Sequence, residues 1–325
     1  MKRRKQEGQD INARIDIHAD DYALTVGTSE DMLSCMEKGQ LDSISIVPNM
    51  TCFEECMELL YQAIPKLPFL PAMSVHLDFV EGRSLAGTEC VPLLVRAGSN
   101  LMGMSWGGLF IASYLPWKRR TAREQLKREI KVQIETAQAA INRAMELAKE
   151  QGVPCGQHKM RIDSHQHAHM IPVVWDALIE VIREERYEVE YIRNSKEMLI
   201  AFVSETSLWK TYRPINFIKN ILLSLYSHKV EQYSKNHNLN SMYLWGLIMS
   251  GHMDYDRIAV LYPKIVSRAE KDNRILEILF HPGQMLPDEV SAEIGSEAAE
   301  DFYLREDRHV EMDALGRIRP LLKRR

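Results

Sequence analysis

Short apolar segments rich in β-branched residues recur along the chain at 13–19 (ARIDIHA), 42–48 (DSISIVP), 72–79 (AMSVHLDF), 159–165 (KMRIDSH), 188–193 (EVEYIR), 242–249 (MYLWGLIM) and 274–280 (RILEILF). Between them, at 28–38, 52–63, 121–151, 172–186, 215–236 and 255–271, apolar residues return every third or fourth position. The first set predicts strands and the second predicts helices. The clearest helix is 121–151, where Leu126, Ile130, Ile134, Ala137, Ile141, Ala144 and Leu147 fall on one face. Thr121 with Glu124 reads as a capping box at its start, and Gly152 as its stop. Strands alternating with helices predict an α/β fold with a parallel sheet covered by helices. Seven strands suit an irregular (β/α) barrel of the TIM-barrel type, and a doubly wound sheet serves the same pattern. Residues 82–120, rich in glycine and aromatics, lack a clear period and read as a loop excursion, the kind of segment that often covers or faces a substrate.

Composition narrows the classes. With 325 residues and 45% hydrophobic content the chain can bury a large core, and 13–325 is expected to form a single domain. A net charge of −4 argues against a nucleic-acid binder. The basic head, 1–12, is expected to be disordered. No apolar run approaches the roughly 18 residues of a membrane span, and the head lacks the apolar core of a signal peptide, so a cytoplasmic location is expected. Five scattered cysteines read as reduced thiols. Cys52 and Cys56, four apart, lack the second pair that a cysteine-rich metal site would have.

Candidate chemistry gathers at the ends of the predicted strands. The first ends in His18, Asp20 and Asp21; the third carries His76, Asp78 and Glu81; the fourth runs into DSHQHAHM, Asp163 to Met170. The fifth, sixth and seventh end near Arg193, His252 and His281. In parallel α/β folds the carboxyl ends of the strands share one rim, where active sites form. Solvated loops would supply charges there too, but mostly Lys and Glu rather than His and Asp. If the chain stays extended, His165, His167 and His169 point to one side, which raises the question of whether they share an ion. The Asp20-Asp21 pair could cap the next helix through Asp21, with Thr28 as the other candidate cap. It could also divide two tasks, one carboxylate holding a divalent ion and the other acting on a water. His76, alone in an apolar strand, reads as a core imidazole. With Asp21 and His165 it completes a set of two imidazoles and one carboxylate that leaves coordination positions open.

The segments HADDYA (18–23), SVHLDFVEG (74–82), DSHQHAH (163–169) and HPG (281–283) stand in the same order as the motifs of the YdjC/ChbG-type carbohydrate deacetylases, which the chain resembles from about residue 15 onward. YIRNSKE (191–197) and SGHM (250–253) are similar to family segments as well. The resemblance implies a barrel-like fold and hydrolysis of an N-acetyl group on an amino sugar or short oligosaccharide. It implies Asp21, His76 and His165 as metal ligands, Asp20 as general base and His281 as general acid. His167 then faces the site or backs it, and His169 helps hold the loop; Arg193 and His252, at their strand ends, are candidates either to orient substrate hydroxyls or to serve the structure. One divalent ion, Mg²⁺ or Zn²⁺, is the expected cofactor. The chain departs from the family pattern at His18, where Asn is usual, and at Tyr22-Ala23, where Phe-Gly is usual; loss of that glycine restricts a turn. Residues 199–241 form a divergent helical segment with a weak match.

Three other readings use the same residues. His76-x-Asp78 with a distant histidine is the ligand pattern of a non-haem iron oxygenase, but that reading gives Asp20-Asp21 no role. An amidohydrolase barrel begins with its D-x-H-x-H element, whereas here DSHQH follows three strands. A non-catalytic sugar-binding or regulatory protein would keep the scaffold without needing every catalytic role filled. The sequence identifies neither the sugar nor whether the chain pairs as a homodimer.

Overall fold

The structure, a computed structural model, describes residues 15–294, 302–305 and 308–322. The predicted head at 1–12 lies outside them. Seven parallel strands, β1 (Ile15–Tyr22), β2 (Ser43–Ile46), β3 (Ala72–Leu77), β4 (Met160–Ser164), β5 (Val189–Ile192), β6 (Met242–Trp245) and β7 (Ile275–Phe280), form one sheet in the order β5-β4-β3-β2-β1-β7-β6. The sheet curls into a half-barrel. Its two edges approach where Asn240 N–H donates to the Glu190 carbonyl at 2.9 Å and Glu197 bridges to Leu244. This is the irregular, incomplete barrel that the alternation predicts, and all seven predicted strands are present.

The helices are α1 (Val26–Glu37), α2 (Phe53–Ala63), α3 (Trp106–Ala112), α4 (Pro116–Glu150), α5 (Pro172–Glu185), α6 (Leu199–Val203), α7 (Pro214–His237), α8 (Tyr255–Lys271) and α9 (His309–Leu322). Each strand alternates by face. Ile17 and Ala19, Ile44 and Ile46, Met73 and Val75, Ile162, and Leu276 and Ile278 are fully buried in the apolar core that the helices cover. The apolar face of α4 supplies Leu126, Ile130, Ile134, Ala137, Ile141 and Ala144, all fully buried. At about 1.5 Å per residue this helix is about 50 Å long.

The opposite faces are polar. Register sets His18 beside Ser43, Ser45 beside Ser74, His76 beside Asp163, Arg161 beside Tyr191 and Asp16 beside Glu277. The half-barrel interior is therefore a hydrogen-bonded ionic network rather than layers of aliphatic side chains. Arg161 donates to Asp16 at 2.9 Å, and Arg193 reaches Glu277 at 2.7 Å and Asp163 at 3.1 Å. Tyr191 donates to Glu277 at 2.6 Å.

Four expectations need correction. Thr121 does not cap α4; the helix starts at Pro116, whose fixed φ suits a first helical position, and Thr121 returns its hydroxyl to the Trp117 carbonyl. Asp21 does not cap α1 either. Thr25 does, in a reciprocal box with Thr28. The sixth strand stops at Trp245 rather than at 249, because Gly246 turns the chain at φ +145° and Glu197 accepts the Gly246 and Ile248 N–H groups at 2.7 and 2.8 Å. The 82–120 excursion is no free loop: it is stitched to α4, where Glu129 accepts from Ser84, Leu85 and Ala86 and Gln125 from Leu93, and to the turn after β2, where the Arg83 N–H donates to the Asn49 carbonyl at 2.9 Å.

Candidate metal and catalytic site

The carboxyl ends of β1, β3 and β4 bring Asp21, His76 and His165 together. Asp21 Oδ1 lies 3.0 Å from His165 Nδ1 and 3.3 Å from His76 Nε2. All three are buried, and one donor atom from each falls within 4.8 Å of the others. Asp21 holds a left-handed backbone at φ +71°, which takes its side chain out of the strand's regular alternation. His76 enters from the carboxyl end of β3, oriented by its Nδ1 contact with Asp163 at 2.6 Å. Its Nε2 is buried and has no hydrogen-bond partner among the described residues. His165 is backed on its far side, where Nε2 lies 3.2 Å from the Tyr303 hydroxyl and 3.6 Å from Glu81 Oε2. Each imidazole thus turns one nitrogen to Asp21 and rests the other on an oxygen partner, the arrangement that fixes tautomer and ring angle in metal-ligating histidines.

Electrostatics favour a cation here. Burial alone would lower the His76 pKa, but Asp20 and Asp163 raise it to about 10. Burial likewise opposes the carboxylates Asp21, Glu81 and Asp78 around His165, which raise it to about 9. Burial would raise the Asp21 carboxyl, yet His165 and His76 hold it well below the usual range. The cluster is anionic enough to take up protons when nothing else neutralises it. An orphaned imidazole nitrogen, a second imidazole and an ionised carboxylate fit a divalent ion such as Zn²⁺, and carboxylate with water could also serve Mg²⁺.

The DSHQHAHM run does not place three histidines on one face. The strand ends at Ser164, and Gln166 and His167 take left-handed conformations at φ +51° and +58°. The three rings therefore diverge. His165 joins the candidate metal group; His167 faces the cavity with Nδ1 2.9 Å from Ser195 Oγ; His169 is fully buried between Ser164 Oγ (2.6 Å) and the Arg193 carbonyl (2.8 Å). Burial and the nearby Lys219 keep His167 well below the normal imidazole range.

Asp20 lines the same cavity, and both of its oxygens are engaged. Arg193 clamps it at 2.7 and 2.8 Å, and His18 Nε2 lies 3.0 Å away. Burial opposes ionisation, but Arg193, with His76 and His18, holds the carboxyl well below its normal value. Arg193 itself is completely buried beneath the cavity and does not line it. His281 does line it. Burial lowers its pKa against the pull of Asp21 and Glu311, and its Nδ1 has no hydrogen-bond partner among the described residues. His252 lies on the turn after β6, outside the cavity wall, with its N–H donating to the Met249 carbonyl at 2.7 Å.

The cavity measures about 370 Å³, and Gln166, Arg213, Asn216, Lys219, Leu247, Ser250, Phe302 and Tyr303 complete its wall. The sequence reading missed these eight as site residues. Arg213, Asn216 and Lys219 belong to the divergent 199–241 segment, where no motif marks them, and Tyr303 sits in a stretch without period. No residue of 82–120 lines the cavity, so its aromatics do not face this site; Trp106 instead stacks on Phe110 at 5.6 Å.

A model of the YdjC-like protein family matches residues 14–148 and 153–318. A carbohydrate deacetylase of Thermoanaerobacter pseudethanolicus (strain ATCC 33223 / 39E) is 26% identical over 184 residues, 57% of this chain and 62% of that protein. A carbohydrate deacetylase of Vibrio campbellii (strain ATCC BAA-1116) is 29% identical over 178 residues, 54% of this chain and 57% of that one. The matched stretches span less than two thirds of either relative. The crystal structure of a "putative cellobiose-phosphate cleavage protein" from Enterococcus faecalis V583 shares the fold, with a TM-score of 0.51 at 16% identity over 94% of this chain and 99% of that one. The family match covers both the β1 rim and the late His-Pro-Gly turn, and on that breadth the chain belongs to the YdjC-like family.

Proposed function

We propose that the protein is a metal-dependent hydrolase that removes an N-acetyl group from an amino sugar or short oligosaccharide. One observation carries the reading: Asp21 Oδ1 converges with two imidazole nitrogens, at 3.0 and 3.3 Å, beside the ionised Asp20 in a sugar-sized cavity. Membership in the YdjC-like family and the names of the two relatives support the same chemistry.

Asp21, His76 and His165 would hold one divalent ion, Mg²⁺ or Zn²⁺. When bound, that ion supplies Lewis-acid polarisation of the amide carbonyl and activates water for attack. The residues divide the remaining work. Asp20, kept anionic by Arg193, receives the proton of the attacking water as general base. His281, whose pKa its surroundings lower, takes up the proton that Asp20 received from the water and delivers it to the departing nitrogen, which leaves Asp20 ionised again. His167, neutral and steadied by Ser195, presents its ring to the sugar. Arg193 acts as a positioning residue for Asp20 rather than as a substrate ligand. His252 has no direct contact with the reacting groups in this scheme.

The bidentate Arg193 clamp favours a second reading of the proton path, since a carboxylate held on both oxygens is a weak base. In it, His281 carries both transfers and Asp20 acts as a fixed charge. Acetate release from a panel of N-acetylated mono- and oligosaccharides tests both. The first path predicts that Asp20→Asn loses roughly two to four orders of magnitude in kcat. If His281→Gln costs far more than Asp20→Asn, the second path holds. Absence of acetate from every member of a broad panel would contradict the deacetylase reading itself.

A further inference from the structure

Helix α7 carries apolar residues on its outer face. Asn220, Leu223, Ser227 and Val230 point inward and are buried, yet Ile215, Ile218, Ile221 and Leu225, on the opposite side, are 50 to 68% exposed. A surface helix ordinarily turns polar residues that way. A second group adjoins this stripe. Ile111 near the end of α3, Tyr114 in the turn that follows and Trp117 at the start of α4 are 57 to 69% exposed. Tyr114 meets Tyr226 hydroxyl to hydroxyl, and the Phe110 ring lies 6.3 Å from the Tyr226 ring. Tyr226 follows Leu225, so the two groups join into one face. With each side chain half or more exposed, the seven present on the order of 800 Å², beyond the roughly 300–600 Å² of the largest apolar patch on a typical monomer. The surroundings of this face are basic. Residues 90–123 and 206–230 contain no Asp or Glu. Lys118, Arg120, Lys210 and Lys229 are exposed and, among the described residues, make no ion pair. Glu205 and Glu231, which bracket the second stretch, are paired with Lys264 and with Lys196 and Arg274, and Asp176 of α5 is paired with Arg119.

We propose that this face docks on the surface of an anionic lipid bilayer. The aliphatic and aromatic side chains enter the headgroup boundary, and the four unpaired cations meet lipid phosphates. Aliphatic residues with a tryptophan, ringed by Lys and Arg, are the chemistry of helices that lie in a membrane interface. Tyr114 and Trp117 have the amphipathic rings that favour that depth. A second copy of the chain fits the face less well. An isologous pairing would bring the same basic flanks together, like charge against like. An anionic bilayer neutralises the cations and covers the apolar residues in one contact. Such docking needs no spanning helix, and it does not depend on the deacetylase reading above.

Flotation of the full chain with vesicles tests this, using phosphatidylcholine alone and phosphatidylcholine with an equal part of phosphatidylglycerol. The anionic vesicles should bind about tenfold or more tightly, with a difference that shrinks as salt rises. The double variant Ile221→Ser, Leu225→Ser should weaken that binding by about tenfold or more. Its urea midpoint should stay unchanged, because exposed side chains contribute little to folding. Lys118→Gln and Lys210→Gln should each weaken binding about fivefold. Brominated lipid in the anionic vesicles should quench tryptophan fluorescence, and Trp117→Phe should remove a large part of that quenching. Equal binding to the two kinds of vesicle overturns the proposal. So does binding to neither, which leaves the face to a protein partner. A dimer in sedimentation that the serine variant dissociates gives the face to a second copy, and overturns the proposal as well.

Discussion

At the residue scale, two features of the rim could be argued from sequence and one could not. The convergence of Asp21, His76 and His165 was legible because each sits at or near the carboxyl end of a parallel strand, where topology forces an encounter. That His165 alone of the three histidines is a ligand followed from the resemblance, but the cause of their divergence, left-handed backbone at Gln166 and His167, is announced by no residue there. Ala23 is the intermediate case. Its replacement of the family's usual glycine pointed to a constrained turn, and it does hold φ +69° while fully buried. Ala23→Val should therefore destabilise the protein by about 2 kcal/mol or more, read as a lower urea midpoint, because a β-branched residue is a poor fit to left-handed backbone. The imidazoles give a pH signature. His76 and His165 have folded pKa values of about 10 and 9, above the ordinary 6.5. Their ion pairs stabilise the metal-free protein fully below about pH 6.5, and that contribution is lost as pH rises through 9 and 10. With both imidazoles protonated, metal binding near pH 7 is expected to displace about two protons. Titrations in buffers of different protonation enthalpy measure that number, and a value near zero would contradict the raised imidazole pKa values. Arg193 makes a fourth case: its strand-end position left an orienting and a structural role open, and it is buried against Asp20, Asp163 and Glu277. Arg193→Met leaves three buried carboxylates without their cation, so a loss of about 3 kcal/mol or more is expected in denaturant unfolding, beyond any change in KM.

At the element scale, every predicted strand and helix exists because the apolar period was strong and continuous in each. Boundaries failed where a local hydrogen bond overrode hydrophobicity. The run MYLWGLIM stays apolar to Met249, but strand pairing stops where Glu197 captures the N–H groups that follow Trp245. Gly246 permits that turn: a Cβ there would stand 2.5 Å from the Leu279 carbonyl oxygen and 2.9 Å from the Leu279 Cβ. Gly246→Ala must move backbone in β6 or β7, and a loss of about 3 kcal/mol is expected in equilibrium unfolding. A loss under about 0.5 kcal/mol would mean that this edge of the half-barrel yields freely. Helix α3 was missed because seven residues cannot display a helical period, and α9 was missed although its 14 residues bury Ala314, Leu315 and Ile318 on one face. The polar stripe Gln125, Glu129 and Gln133 on α4 was visible at four-residue spacing. Its meaning, a set of acceptors for the backbone of 78–93, required the fold.

At the scale of the whole molecule, the alternation that predicts the sheet also explains the site. Along β1, β2, β3, β4 and β7 one face is apolar and buried under helices, and the other turns Asp, Ser, His, Arg and Glu into the half-barrel, where they neutralise one another below the rim. That network holds Asp20, Asp163 and His76 in fixed orientations, at the cost of desolvating many charges. Among the described residues no helix is long and apolar enough to cross a membrane. The most direct test of the account is acetate release from N-acetylated sugars by one preparation, first stripped with a chelator and then reloaded with Zn²⁺ or Mg²⁺, with bound metal counted in the wild type and in Asp21→Ala. The account predicts about one ion per chain, acetate release only after reloading, and neither in the variant. Full release from the stripped protein, or from Asp21→Ala, would contradict it.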